Sequence, residues 1–211
     1  MVEKRILWLD AVTSTNDKAW SFIDQEHITA VAAHQQTAGR GRAGRSWSSP
    51  SGTGLYLSWI CRPAIEPEQG TLLPLAIAVA AAEVCEELGC QIRLKWPNDL
   101  LVHGRKLAGL LPGVVQRGSQ LRLLRIGLGL NVRNSVPCEG IALRRLEGQQ
   151  AADPIRWTAE VLLALDHCHD LGGDGSWCLD DVQARLWSDQ LVHPQDGQIW
   201  RITGLERDGA L

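Results

Sequence analysis

The run Gln36-Thr37-Ala38-Gly39-Arg40-Gly41-Arg42-Ala43-Gly44-Arg45-Ser46-Trp47 sets three arginines among three glycines and closes on an indole. Glycine lets the backbone wrap a ligand and present its N–H groups. Arginine supplies forked donors for carboxylate or phosphate. Trp47 offers a flat face on which a base can stack. Together they suit a small organic anion held under a loop. An RGG-like RNA-binding tract has similar chemistry, but this run is single, short and flanked by strand-like sequence. Gly39 to Gly44 also satisfies G-x-G-x-x-G. The dinucleotide fingerprint needs a helix to start at once, whereas Arg45 to Gly54 contains Pro50, Gly52 and four serines, a loop composition. No G-x-x-x-x-G-K-[ST] is present.

Two other segments carry chemistry. Lys95-Trp96-Pro97-Asn98-Asp99 is followed by Lys106, so two of the four lysines fall in one hairpin. They suit either a solvated strand edge or an ammonium set against a phosphate, and the spacing alone does not choose. Ser14-Thr15-Asn16 sits where a helix starts. A capping box is the default for such a pattern, but Asp17 follows and no Glu or Gln stands at the right place. Two hydroxyls and an amide there suit a small polar headgroup. No Ser-His-Asp or Cys-His arrangement supplies a nucleophile.

The elements around these segments follow from periodicity. Arg5–Asp10, Ile28–Ala33, Leu55–Ile60, Gln91–Trp96 and Leu121–Val132 read as strands. Leu100–His103 and Lys106–Leu111 read as a hairpin. Helices are expected over Asn16–Gln25 (capped by Thr13 or Ser14), Thr71–Leu88, Ile155–Leu171 and Trp177–Leu191, with a last strand at Gln198–Gly204. Residues 35–54 form a loop of about twenty residues, a length usually tied to function. Strands and helices do not alternate as βαβ units, so the class is α+β.

Composition narrows the function further. The chain has 211 residues, 45% hydrophobic and 21% charged, an ordinary globular balance. The longest apolar stretch, Leu72–Ala82, is too short to span a bilayer, and Met1–Asp10 lacks a signal-peptide core. A cytoplasmic location is therefore expected. Residues 1–133 carry a net charge of +4 and residues 134–211 a net of −7, which does not resemble a nucleic-acid-binding protein. The six cysteines form no C-x-x-C pair. Asp166-His167-Cys168-His169-Asp170 looks like a metal cluster, but neighbours on a helix point about 100° apart and cannot converge. No metal ligand is assigned.

Thr13-Ser14-Thr15-Asn16, Gln36 through Trp47, Lys95 through Asp99, Arg105-Lys106-Leu107-Ala108-Gly109 and Gly127-Leu128-Gly129-Leu130-Asn131 occur in the order and spacing of biotin protein ligases. The resemblance spans roughly residues 5–205. It implies a core related to class II aminoacyl-tRNA synthetases, with a mostly antiparallel mixed sheet flanked by helices over residues 1–188. It implies the start of a small SH3-like module over residues 189–211. It also implies MgATP-dependent activation of biotin to biotinyl-5′-AMP, then transfer to a lysine of the carrier domain of acetyl-CoA carboxylase. Lipoate or octanoate ligation is the alternative in the same superfamily, and a non-catalytic biotin-binding relative is another.

By the same resemblance, Arg40, Arg42 and Lys106 are catalytic. Ser14, Thr15, Asn16, Gln36, Gly39, Gly41 and Gly109 join those three around biotin. Arg42, Arg45, Trp47, Lys95, Asn98 and Asn131 lie on the nucleotide side. Relatives with a DNA-binding domain carry it before the core, so no specific operator binding is expected here. The family includes monomers and homodimers. The chain departs from the family's pattern at Ala43, at Leu111-Pro112-Gly113, where a kink or an edge is expected, and at the short C-terminus.

Overall fold

Seven strands form one sheet in the order β1-β2-β3-β7-β6-β5-β4. They are β1 (Arg5–Val12), β2 (Ile28–Gln36), β3 (Gly54–Cys61), β4 (Arg93–Lys95), β5 (Asp99–Val102), β6 (Arg105–Arg117) and β7 (Gln120–Asn131). The computed structural model describes residues 5–62, 71–117, 120–147, 152–170, 176–193 and 195–211. β1 and β2 run parallel and the remaining pairs antiparallel. This is the mixed, mostly antiparallel sheet that the family resemblance implies, in the α+β class expected from the element order.

Alternation along β7 gives the sheet two different faces. Leu124, Ile126, Leu128 and Leu130 point to one side and are nearly fully buried. They meet Leu55, Leu57 and Trp59 of β3 beneath α2 (Leu73–Glu86) and α4 (Pro154–Asp170). α2 is Ala-rich and apolar on most sides because it packs against the sheet, α4 and the helix that follows it, α5 (Leu179–Arg185). On the other side, Ala19 with Trp20, Phe22 and Ile23 packs with Ile28, Val31, Ile60 and Leu123. That packing seats α1 (Thr15–Trp20) on the face that carries Gly127 and Gly129.

Several boundaries differ from the sequence-based expectation. α1 ends at Trp20 rather than Gln25. The chain there tightens into successive turns, Phe22 N–H to Ala19 O and Gln25 N–H to Phe22 O. Arg62 Nη2 takes the carbonyls of Phe22 at 2.8 Å and Gln25 at 3.0 Å. The helix expected over Trp177–Leu191 is a 3₁₀ turn followed by α5 (Leu179–Arg185). It stops because Trp187 N–H pairs with Leu94 O of edge strand β4 at 2.9 Å. The chain then forms a separate hairpin of β8 (Gln190–Val192) and β9 (Ile199–Arg201). Residues 202–211 hold no strand. They fold back so that Gly209 O accepts from Trp96 Nε1 at 3.1 Å. A four-residue helix, α3 (Arg144–Glu147), was not expected.

His103 and Gly104 both have positive φ, 49° and 73°, which suits the tight two-residue turn joining β5 to β6. β6 runs straight through Pro112, whose partner is Ile126, and its register with β7 shifts only at Val115/Gln116. So Pro112 makes no break, and the physical reason is its direction. Leu110 N–H points away from β7 and donates to Asn98 O at 2.8 Å. Two residues on, the Pro112 nitrogen faces the same way, past Gly109, the last β6 residue paired with β5. No ladder bond is lost. Pro112→Val should therefore change unfolding free energy by no more than about 1 kcal/mol in urea titration. A gain well beyond that would place the nitrogen on the β7 side, where valine would restore a missing ladder bond.

Among the described residues no helix is long and apolar enough to cross a membrane, and no group of three or more His, Cys, Asp or Glu side chains is placed to hold a metal ion. The side chains at positions 168–170, part of the Asp-His-Cys-His-Asp run, lie outside the described residues.

Candidate functional site

One cleft of about 1160 Å³ lies on the glycine face of the sheet. That volume exceeds what a single drug-sized ligand usually fills. Gly109 of β6 and Gly129 of β7 are direct partners, and Gly127 faces Leu111 and Ser58 across the two neighbouring ladders. The floor between them is bare backbone. A Cβ at Gly129 would stand 2.5 Å from Trp47 Nε1, and one at Gly127 2.5 Å from Asn16 Nδ2. Glycine is needed here for close approach, not for turning.

At one end stands the start of α1. Ser14 is its N-cap, but its hydroxyl makes no capping bond. Instead Ser14 Oγ is buried without a partner among the described residues. Thr15 N–H and Oγ1 donate to Gln36 Oε1 at 2.8 and 3.1 Å. Gln36 Nε2 donates to Ser49 Oγ at 2.9 Å, and Ser49 to Trp47 O at 3.1 Å. A chain of hydrogen bonds thus ties the α1 turn to the Gly/Arg segment. Ser58 of β3 is fully buried and donates toward Asn16 Oδ1 at 2.7 Å and Thr15 Oγ1 at 2.9 Å. No local pattern pointed to Ser58, because 42 residues separate it from Asn16.

The Gly/Arg segment is itself ordered as a small hairpin. Trp47 N–H bonds Gly39 O at 2.8 Å, Gly41 N–H bonds Arg45 O at 2.7 Å, and Arg40 pairs with Ser46. Its tip turns at Ala43 and Gly44, with φ of 55° and 74°. Asp17 of α1 holds Arg40 by an ion pair of 2.8 Å. Trp47 lies over Gly129 and Gly109, and its indole N–H is buried without a partner among the described residues.

At the other end stands Lys106. Its Nζ is 2.7 Å from Asp99 Oδ1 and 5.3 Å from the Trp47 ring centroid. Its backbone is fixed on both sides: Lys106 N–H donates to Glu139 O at 2.7 Å, and Ile141 N–H donates to Lys106 O at 2.9 Å. Asn131 Nδ2 reaches the same carbonyl at 3.2 Å, and Asn134 Nδ2 donates to Asn131 Oδ1 at 2.9 Å. Asn98 Nδ2 donates to Leu110 O at 3.0 Å. Asn98 and Asn131, expected on the nucleotide side, thus line the cleft but spend amide protons on β6 carbonyls. Lys95 is exposed at the rim.

All of the expected site residues except Gly39 line this cleft. Gly39 is buried behind it, where a Cβ would stand 2.8 Å from Ser49 Oγ. Arg40, Arg42, Arg45, Lys95 and Lys106 give five cationic side chains on the wall, against the carboxylates of Asp99 and Glu139. Ser14 Oγ, Trp47 Nε1 and Asn134 Oδ1 are buried polar atoms on that wall without partners among the described residues. Such orphans are rare in folded proteins and mark where a polar ligand would bond. Arg125 of β7 adds a buried cation behind the wall. Burial pulls its pKa down to about 10, with Asp17 raising it and Arg40 lowering it, so it stays charged at neutral pH.

The arrangement can hold a neutral hydrogen-bonding headgroup at one end, an apolar or planar body over the glycine floor, and two anionic groups at the other end. Residues 8–131 match the model of the biotin/lipoate A/B protein ligase family. The chain is 37% identical over 132 residues to the bifunctional ligase/repressor BirA of Bacillus subtilis, covering 61% of this chain and 41% of that protein. It is 36% identical over 136 residues to the biotin–[acetyl-CoA-carboxylase] ligase of Mycobacterium tuberculosis, covering 59% of this chain and 49% of that one. The match thus spans less than half the length of these two curated relatives. The fold superposes on the biotin protein ligase of Aquifex aeolicus in complex with biotin and ATP with a TM-score of 0.77 and 25% identity, over 98% of this chain and 90% of that one.

Proposed function

The chain belongs to the biotin/lipoate A/B protein ligase family, and on that premise we propose that it activates biotin with MgATP and passes the biotinyl group to a carrier-protein lysine. The observation that carries this reading is the glycine-floored cleft, with a hydroxyl and amide cluster at one end and cations at the other. The relatives named as biotin ligases, and the similar structure holding biotin and ATP, point the same way.

The reaction needs two anions to meet. A biotin carboxylate oxygen attacks the α-phosphorus of ATP, a P–O bond forms, and the bond to pyrophosphate breaks. Lys106 and Arg42 offset the charge that builds on the phosphoryl oxygens, with Mg²⁺ arriving as part of the nucleotide substrate. Ser14, Thr15, Asn16 and Gln36 bond the headgroup. Trp47 packs against the glycine floor beside the acyl chain and adenine, and Lys95, Arg45, Asn98 and Asn131 line the nucleotide side. The product is a mixed anhydride that water would hydrolyse, so the 39–47 hairpin with Arg40 acts as its cover. An acceptor amine then attacks the acyl carbon and AMP leaves. No protein nucleophile takes part.

The acceptor in this reading is the carrier domain of acetyl-CoA carboxylase, and the expected place is the cytoplasm. Residues 189–211 are read as the start of a small C-terminal β-module.

Mass spectrometry of the protein with MgATP and either biotin or octanoate, without acceptor, tests the proposal. Biotinyl-5′-AMP formed from biotin, with no octanoyl-AMP from octanoate, is the expected result. Octanoyl-AMP alone would move the chain to the lipoate branch of its family. No adenylate from either acid would overturn the ligase reading.

A further inference from the structure

The departure at Leu111-Pro112-Gly113 finds its use on the glycine face. Gly113 pairs directly with Arg125 across the β6–β7 ladder. A Cβ at Gly113 would collide with Arg125 Nη2 and stand 3.1 Å from Trp20 Cζ2. The missing side chain is the room in which the guanidinium lies. Arg125 is only 8% exposed. Its guanidinium carbon is 4.2 Å from the Trp20 ring centroid, and Nη1 donates to Asn16 O at 2.7 Å.

Burying a charge is unfavourable unless something answers it. Here the answers are a stacked indole and a charge-assisted bond to one chosen carbonyl. That carbonyl belongs to Asn16, the second residue of α1. α1 has six residues, far too few to hold a helix on propensity, so its geometry is set from outside. Asn16 is held on three sides: Ser58 bonds its amide, Gly127 lies under that amide, and Arg125 bonds its carbonyl. The next residue, Asp17, holds Arg40 of the covering hairpin. One buried cation therefore sets both the headgroup turn and the point where the cover attaches.

We propose that Arg125 is a positioning residue for biotin: through Asn16 and Trp20 it orients Ser14, Thr15 and Asn16 for the headgroup, in a space that Gly113 keeps open. This rests on the biotin reading of the cleft. It touches no reacting atom, so its loss acts on biotin affinity and spares the nucleotide end.

The experiment measures biotin and ATP binding separately by calorimetry, with steady-state kinetics, on wild type, Arg125→Met and Gly113→Ala. Arg125→Met keeps a long apolar stem and removes the charge and the bond. It should weaken biotin binding at least about tenfold, since small misplacements of binding groups cost that much. ATP affinity should change less than about twofold, and kcat at saturating biotin should stay close to wild type. Gly113→Ala, which displaces Nη2 without touching Arg125 itself, should reproduce the same split. Circular dichroism should find both variants folded. Unchanged biotin affinity in folded Arg125→Met overturns the assignment, and so does equal weakening of biotin and ATP. A wild type that binds no biotin overturns both this inference and the reading of the cleft. A wild type that binds biotin as tightly as its variants do overturns only the role of Arg125.

Discussion

Lys106→Met should slow formation of biotinyl-5′-AMP by about 10²–10³-fold, the usual effect of removing one preorganised charge from a developing anion. The side chain is well placed for that role. Its ammonium is held by Asp99 at 2.7 Å, and its backbone is pinned by Glu139 O, by Ile141 N–H and by the Asn131 amide. Gly109 leaves its path clear, since a Cβ there would stand 3.2 Å from Nζ. The cation is thus fixed before substrate arrives and costs little reorganisation as the α-phosphorus is attacked. Methionine keeps the stem but leaves the Asp99 carboxylate facing the cleft unanswered, which adds repulsion toward ATP. The loss should appear mainly in kcat, because the charge it answers is largest in the transition state. Rapid-quench measurement of the first step checks this. A fall below about tenfold would remove Lys106 from the chemistry and leave it as a partner of Asp99.

The contrast between what was legible and what was not follows from distance along the chain. β7 could be read because leucines alternate with glycines over one uninterrupted stretch, and α2 because its alanine run has nothing to break it. Ser14-Thr15-Asn16, the Gly/Arg run and Lys95 to Asp99 could be read because each keeps its functional atoms within a few residues. Their convergence on one cleft depends on sheet order, with β7 lying between β3 and β6. No local pattern encodes that order. Ser58 and Arg125 were missed for the same reason: each meets Asn16 from a strand far away in sequence, 42 and 109 residues off. The turn at Ala43 was missed because a non-glycine residue at positive φ carries no composition signal. The end of α5 was missed because the hydrogen bond that stops it belongs to β4. That Gly113 makes room for Arg125 depends on a cross-strand pairing that no local pattern shows.

Gly127→Ala should abolish measurable biotin binding, a loss of at least about 100-fold, by misplacing the groups that meet the headgroup. The new methyl would fall against the Asn16 amide, 2.5 Å from Nδ2. The amide has nowhere to yield, because Ser58 holds Oδ1 at 2.7 Å and Arg125 holds the carbonyl at 2.7 Å. Relief requires α1 to lift from the sheet, and Ser14 and Thr15 lift with it. The opposite face of β7 is untouched, since Ile126 and Leu128 keep their packing under α2, so the protein should still unfold cooperatively. Gly129→Ala separates the two halves of the cleft. Its methyl meets Trp47, 2.5 Å from Nε1, and Trp47 can swing out with its hairpin. That variant should keep biotin affinity within a few fold and instead release the adenylate, seen as free biotin and AMP produced without acceptor. Calorimetry with biotin and a leakage assay distinguish the two. Wild-type biotin affinity in Gly127→Ala would mean that the headgroup does not lie over Gly127, and the α1 turn would lose its assigned part in binding.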